Sequence, residues 1–568
     1  MSLYKLSARG NTTFFYFLGI IAVEWLLLIN PYSHNPDQHH DGIMFPVAVG
    51  FRDGFLPNRD IFTQYGPLTP VFQGIWLSIT SPSILNLRIF TLLQTILISI
   101  LLFYILQRKL SNFTSFLLVI AWALTGPVGL PWPNLFLTIF SLICILLISN
   151  FYRVVNYTRL SLFTCFSLSG FILTLGILVR VQNIVSLILF AVTLFYFARR
   201  GKTWVKFKFF MLGTLFGWLT ILATMGAYGL LVPYYEQIIR WGFQVSKALT
   251  PKLSLALVAD RSWIFSLALF SIAVVFLTAQ TLKNYSMVKG MQYLIFVGLV
   301  GLFWSVFSLS QNSPQGKQTL RNPDVLLWIF ANKALFAFLY ISLTLSIALF
   351  FHQILEVVLK LRRKNFFTEE STLISSVYVS GLITLYPILD NYHIWFMLPL
   401  ALAFIIQISN FLNLKVLTFR AINIFVSALI ISLFIHNLTN PPTSPYSFSS
   451  KILKGMTSSF ESAPSLDATL LVLEKVPREE KLVFDCPDGI YAAANGHYMA
   501  TSEDFVNWRV KELSIDPARK IFVCYVDDEK IREFELSGFD VEAKIPWEWE
   551  GAPTNEEIFN VLFKKSSG

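Results

Sequence analysis

Charge is scarce in this chain. Of its 568 residues only 14% are Asp, Glu, Lys or Arg, and 55% are hydrophobic, 54 Phe among them. Soluble proteins carry about 25% charged residues. The mean hydropathy is +0.60, and apolar runs of about 18 residues or more recur, which excludes a soluble globular domain and implies repeated crossing of a membrane. Cysteine is scarce too. Four residues are too few for a disulfide-built scaffold, and Cys144 and Cys165, each inside an apolar run, read as small core residues. A G-x-G-x-x-G fingerprint is absent, and the glycine-poor turn Asp485-Cys486-Pro487-Asp488-Gly489 offers no substitute, so nucleotide binding there is not supported. With no H-E-x-x-H or comparable spacing among 7 His, no metal ligand set is assigned. The chain has no internal repeat and no low-complexity segment. The first apolar run is of full membrane length and lacks a small-residue cleavage site, so it reads as a span rather than a signal peptide.

What is present is a series of hydrophobic runs. About 13 are long enough to be read as spans, centred near Ile21, Ile96, Ala121, Ile143, Ser169, Phe190, Gly217, Ser271, Val300, Leu345, Ser380, Leu402 and Leu429. The net charge of +10 does not form a nucleic-acid patch, because its basic residues sit in short connections on alternate sides: Arg108-Lys109, Arg153 with Arg159, Arg199-Arg200 with Lys202, Lys283 with Lys289, Arg362-Arg363-Lys364, and Lys415 with Arg420. Placing these in the cytoplasm puts the N-terminus, with Lys5 and Arg9, inside a plasma (inner) membrane. The loop after the first span then lies outside, and an odd number of spans puts the C-terminal end outside as well.

The composition changes at Pro441-Pro442-Thr443-Ser444-Pro445, a linker signal. Residues 1–440 read as a membrane domain with a first external loop at 31–83, and residues 441–568 as a soluble external domain. In the latter, 466–475 has helical spacing, 481–486 and 520–526 are short apolar strands, and 505–513 and 529–536 read as helices. That alternation implies a small α/β fold. Cys486 and Cys524 end two expected neighbouring strands, and a disulfide and two buried thiols both fit.

One segment stands apart. Residues 39–70, following directly on the first span, hold three Asp, two Arg, two adjacent His and four Gly. Segments 45–50 and 66–78 read as short helices at the membrane surface, with Tyr65, Phe72 and Trp76 suited to the interface. Asp41-Gly42 just past the first span, then Gly54-Phe55-Leu56-Pro57-Asn58-Arg59-Asp60 and Gln64-Tyr65-Gly66-Pro67, resembles the first external loop of GT-C glycosyltransferases, polytopic enzymes that use polyprenyl-phosphate-linked sugars. The resemblance implies a polytopic helical transferase of the protein-mannosyl and aminoarabinose type with a soluble external C-terminal domain. The Asp-Glu pair that many relatives carry at the Asp41 position is absent, which counts against either branch specifically.

Glycosyl transfer from a lipid phosphate needs a carboxylate to take the acceptor's proton and donors to hold the leaving phosphate. The resemblance assigns the first role to Asp41, whose other reading is an Asx turn. Asp60 is a second carboxylate, for acceptor binding, for a divalent metal shared with Asp41, or for an ion pair with Arg59 or Arg52. No cofactor is called for, and metal dependence stays open. His40, Arg59 and Tyr65 read as acceptor-binding or loop-forming groups. Arg180, in a very short connection between two apolar runs, carries over as the ligand of the lipid phosphate, since a membrane-embedded Arg is costly and grips phosphate with two hydrogen bonds. Asp390 and His393, in Pro387-Ile388-Leu389-Asp390-Asn391-Tyr392-His393, resemble an element of bacterial members of the superfamily and imply recognition of donor sugar or phosphate. A helix cap is the alternative there. Glu24, inside the first span, has no identifiable partner.

The expected activity is therefore inverting transfer of a sugar from a polyprenyl-phosphate donor to an external glycan, lipid or protein acceptor in envelope glycan synthesis. An O-antigen polymerase or ligase is the nearest alternative, but such enzymes place their key basic residues late in the chain. A lipid-linked sugar transporter or flippase is further off, because no two-half repeat is visible.

Overall fold

The computed structural model describes residues 3–63, 65–126, 129–153, 158–201, 204–240, 369–382, 391–407, 423–424, 426–432, 445–460, 462–476, 482–485, 489–494, 520–547 and 558–566. The membrane part is helical: α1 (Leu3–Ser33), α2 (Gln38–Arg52), α3 (Leu68–Ile79), α4 (Ile84–Leu106), α5 (Asn112–Leu124), α6 (Asn134–Phe151), α7 (Arg159–Leu175), α8 (Ile184–Gly201) and α9 (Trp204–Ala227). A short α10 (Leu231–Tyr234) runs into the π-helical turn Tyr235–Arg240. Later come α11 (Glu369–Leu382) and α12 (Asn391–Gln407).

Among the described residues, six segments are long and apolar enough to cross a membrane: Thr12–Ser33, Ile84–Leu106, Asn134–Phe151, Arg159–Leu178, Val181–Arg199 and Trp204–Ala227. Hydroxyl side chains start three of the helices: Ser83, Ser111 and Thr158 accept from the backbone N–H of Asn86, Thr114 and Ser161, satisfying groups that a helix end leaves open. Helices α7 and α9 pack backbone to backbone. A Cβ on Gly213 would lie 1.9 Å from the Ser167 carbonyl oxygen, the close approach that small residues permit in membranes. The run near Ala121 differs from expectation. It forms the 13-residue α5, about 20 Å long at 1.5 Å per residue, short of a roughly 30 Å hydrocarbon core. Thr125-Gly126-Pro127 follows and cannot continue a helix. The runs near Ser271, Val300 and Leu345 lie outside the described residues, as does most of the one near Leu429.

The C-terminal part carries a hairpin, β1 (Tyr446–Ser447) with β2 (Thr457–Ser458), and a four-stranded sheet of order β3-β4-β6-β5, with β3 (Leu482–Asp485), β4 (Lys520–Val526), β5 (Phe539–Trp547) and β6 (Ile558–Lys565). Strands β3 and β4 run parallel, Asp485 opposite Val523, and the other pairs are antiparallel. Helices α13 (Ala463–Lys475), α14 (Gly489–Ala494) and α15 (Asp528–Leu536) complete it, α15 capped by the Asp527 carboxylate on Lys530 N–H. The helix expected at 505–513 lies outside the described residues. Cys524 is disulfide-bonded and Cys144 and Cys165 are free. The remaining cysteine of the sequence, Cys486, lies outside the described residues.

This C-terminal part does not hang free. Phe45, Val49, Leu77 and Leu87 of the first loop and α4 share one hydrophobic core with Phe448, Leu453, Leu466, Leu470 and Phe522. The hairpin also binds the turn between α1 and α2: Asn35 N–H donates to Thr457 O at 2.8 Å, Asn35 Oδ1 accepts from Ser459 N–H at 3.0 Å, and His34 Nδ1 meets Thr457 Oγ1 at 2.9 Å. Asn35 holds a φ of +48°, which Asn tolerates better than most residues.

Candidate active site

Helix α2 begins at the polar segment, and its first turn is built by its own carboxylates. Asp37 Oδ1 accepts from His40 N–H at 2.9 Å, an N-cap bond, while Asp37 Oδ2 lies 2.6 Å from His40 Nδ1. Asp41 Oδ2 in turn accepts from Asp37 N–H at 2.9 Å. Asp41 is fully buried and held by Arg88 of α4, with Nη2 to Oδ2 at 2.6 Å and Nε to Oδ1 at 3.2 Å. The same guanidinium donates to the carbonyls of Tyr32, His34 and Asn35, so it ties the end of α1 to the start of α2. Burial pushes the Asp41 carboxyl above its ordinary value against the pull of Arg88. Burial also acts upward on Asp37, but its bonds and charge interaction with His40 outweigh it and hold that carboxyl below the ordinary value. Asp37 and His40 keep 35% and 20% of their side chains exposed, where Asp41 keeps 0%.

The His40 ring packs on Trp132, centroids 5.4 Å apart. Trp132 sits in the Pro-Trp-Pro turn before α6, where Gln73 of α3 donates to Pro131 O at 2.9 Å. Around this indole also lie Tyr65 at 6.0 Å and Phe396 of α12 at 6.4 Å. Tyr65 carries the Arg180 guanidinium over its ring at 5.5 Å. Gly66 makes that approach possible: its N–H donates to Val179 O, and a Cβ there would lie 1.9 Å from Leu178 O.

Arg180 has extended backbone between two 3-10 turns at the α7–α8 corner and donates through Nη1 to Asn134 Oδ1 at 2.6 Å. Four cations are buried among the described residues: Arg88, Arg180, Lys206 and Lys520. Three of them have carboxylates, Asp41, Glu369 and Glu542, within 2.7 Å. Arg180 alone of these meets only an amide and an aromatic ring. Burial lowers its pKa from the usual arginine value, with Tyr65 acting the other way. The Asn134 Nδ2 beside it is likewise buried without an acceptor among the described residues.

His40, Tyr65 and Arg180 of the expected set are thus brought around Trp132, and Asp41 lies one bond behind His40's turn. Helix α12 enters the same cluster. Trp395 stacks on Trp122 at 4.6 Å, each indole N–H donating to the other's carbonyl. His393 is on the first turn of α12, its side chain outside what is described, and Asp390 lies outside the described residues. Arg59 and Asp60 are elsewhere and closed on each other, Nε to Oδ1 and Nη2 to Oδ2 both at 2.9 Å. Arg59 also donates to Tyr228 O at 3.2 Å and so ties the loop to the end of α9. Among the described residues no group of three or more His, Cys, Asp or Glu is placed to hold a metal ion. The carboxylates of Asp41 and Asp60 each already bind an arginine, a poor donor set for a divalent cation.

Arg88, Asp37, Trp132 and Asn134 were not singled out from the sequence. Arg88 is one charge in a run of 23 residues, too little to interrupt a hydropathy window, though a lone Arg in a span is itself a signal. Trp132 and Asn134 flank Pro133 where α5 gives way to α6, and only the three-dimensional meeting of separate connections gives them meaning.

Several solved structures resemble the chain, three of them as follows. The Archaeoglobus fulgidus oligosaccharyltransferase, crystallised with Zn and sulfate, matches at 10% identity over 90% of this chain and 68% of its own, with a TM-score of 0.45. ArnT from Cupriavidus metallidurans bound to undecaprenyl phosphate matches at 10% identity over 96% of this chain and 97% of its own, with a TM-score of 0.38. Its apo form matches at 11% identity over 98% of both chains, with a TM-score of 0.40. No protein-family model and no curated protein sequence matches.

Proposed function

We propose that this protein is a membrane glycosyltransferase that moves a sugar from a polyprenyl monophosphate to an extracytoplasmic glycan, lipid or protein acceptor, with inversion at the anomeric carbon. The observation that carries the reading is the buried guanidinium of Arg180, which meets no carboxylate among the described residues. It lies between two segments long and apolar enough to cross a membrane, Arg159–Leu178 and Val181–Arg199, so in this reading it stands near the bilayer surface, where a lipid phosphate resides. An unpaired buried charge is costly, and a phosphate oxygen pair is the natural complement of the guanidinium fork. In this reading Arg180 holds the leaving phosphate and the carboxylates around Asp41 prepare the acceptor. Asp390 and His393, just before and on the first turn of α12, serve the donor sugar. Arg59 and Asp60, closed on each other, shape the loop. The alternating basic connections support a plasma-membrane location with the N-terminus cytoplasmic and residues 441–568 external.

The test is binding of undecaprenyl phosphate alone to the purified chain, followed by turnover of a panel of polyprenyl-phosphate-linked sugars. Arg180→Ala should weaken binding about 10- to 150-fold, the range of roughly 1.5–3 kcal/mol for a hydrogen bond to a charged group. Arg180→Lys should fall between, since it keeps the charge and loses the fork. Unchanged affinity in a folded Arg180→Ala protein would move the phosphate elsewhere.

A further inference from the structure

We propose that the proton acceptor of the transfer is the imidazole of His40, oriented by Asp37, with Asp41 as a positioning residue behind them. This rests on the glycosyl-transfer reading above and deepens it. The Asp41 oxygens already accept from Arg88 Nε, Arg88 Nη2 and Asp37 N–H, and the side chain has no exposed surface. A base must reach the hydroxyl it deprotonates, and reaching it from Asp41 would first require breaking a buried ion pair. His40 has the geometry of a base held by a third group. Its Nδ1 lies 2.6 Å from Asp37 Oδ2, which fixes the tautomer that leaves Nε2 as the basic nitrogen. Both side chains keep exposed surface.

The second, independent observation is what the ring faces. It packs on Trp132, which also neighbours Tyr65, and Tyr65 carries Arg180, which meets no carboxylate among the described residues. The ring of the proposed base packs on this half-buried indole, and the proposed phosphate cation lies one ring further on, over Tyr65. In the step, the acceptor oxygen forms its bond to the anomeric carbon and gives its proton to His40 Nε2. The bond from that carbon to the phosphate oxygen breaks, and its electron pair leaves with polyprenyl phosphate. The imidazolium, stabilised by Asp37, returns its proton to water. Among the described residues, the titratable and charged groups around the imidazole include Asp37 and Asp41 at the start of its own helix, Arg88 from α4, and Tyr65 across the indole.

The experiment is kcat against pH for the full chain in nanodiscs, with the panel of polyprenyl-phosphate-linked sugars as donors. These donors are phosphodiesters, so their phosphate does not titrate between pH 5 and 8. Wild-type kcat should fall on acidification, about tenfold per pH unit once the proton acceptor is protonated. A profile flat to pH 5 points to a carboxylate base and overturns the proposal. His40→Gln should lose about 10²–10⁴ in kcat while undecaprenyl phosphate binding and melting temperature stay within twofold and a few degrees. Near-normal kcat in that variant also overturns it. Asp37→Asn removes the carboxylate that stabilises the imidazolium and should move the acidic limb to lower pH, and a limb that is unmoved or moves to higher pH would mean that Asp37 only caps α2. If His40→Gln fails to fold, the wild-type profile decides. A wild type that neither binds undecaprenyl phosphate nor turns over any donor removes the underlying reading, whereas turnover with a flat profile removes only the role of His40.

Discussion

At the scale of single residues, the Asp41–Arg88 pair is the most consequential interaction in the first loop. Both side chains are essentially without solvent, at 0% and 2% exposure, and Arg88 reaches three backbone carbonyls besides. Removing one partner of a buried pair leaves an uncompensated charge and costs about 3–5 kcal/mol. Asp41→Ala and Arg88→Met are each expected to lower the melting temperature strongly, and the double variant should be more stable than the sum of the two losses. Simple additivity in that cycle, read by thermal melting in detergent, would mean the pair is not coupled. Asp37 makes a smaller and pH-dependent contribution. Its carboxyl is held below the ordinary value, so the stability it adds is present above that value and disappears as pH falls through the lowered one. The wild type should therefore lose its stability advantage over Asp37→Asn on acidification below about pH 4, and an advantage that grows on acidification would reverse the assignment.

At the scale of elements, the site depends on how the first loop is pinned to the α7–α8 corner. Gly66 fits against Leu178 O with no room for a Cβ, and Tyr65 beside it carries Arg180. Gly66→Ala should push the loop off that corner, at about 1–3 kcal/mol as for an overpacked site, and weaken undecaprenyl phosphate binding at least tenfold without touching a ligand-binding side chain. Unchanged binding would show that Tyr65 does not set the guanidinium. The spans were legible because 18 apolar residues in a row have few alternatives to a buried helix. The surface helices α2 and α3 were legible too, although α2 starts at Gln38 and not in the middle of the loop, because its capping carboxylates precede its apolar face. Strands β5 and β6 escaped notice: in Phe539–Trp547 the apolar positions alternate with Asp540, Glu542 and Lys544, and no long apolar run marks them. The meeting of Trp132 with His40, Tyr65 and Phe396 was illegible in principle, since it joins connections far apart in the chain and periodicity within one helix carries no information about it.

At the scale of the whole molecule, the C-terminal part and the first loop form one structural unit. The β1–β2 hairpin bonds to His34 and Asn35, and Arg88 bonds to the carbonyls of those same two residues while holding Asp41. The hydrophobic core under α2 is completed by Leu453, Leu466 and Leu470. Asp41 and the sheet domain must therefore lie on one side of the membrane, whichever side that is, and the basic connections argue for the outside. Single-cysteine labelling in intact cells tests both statements when the sites are chosen by exposure: Phe55 at 44% in the first loop and Phe460 at 47% beyond the hairpin, in a background with Cys144 and Cys165 left in place because both are buried. Asn58, although in the same loop, is fully buried and would be silent for the wrong reason. Phe55→Cys and Phe460→Cys should both react with a membrane-impermeant maleimide. Protection of both would reverse the orientation and leave the docking intact. Reaction of only one would separate the first loop from the C-terminal domain, and with it the chain of contacts that runs from the hairpin through Arg88 to Asp41.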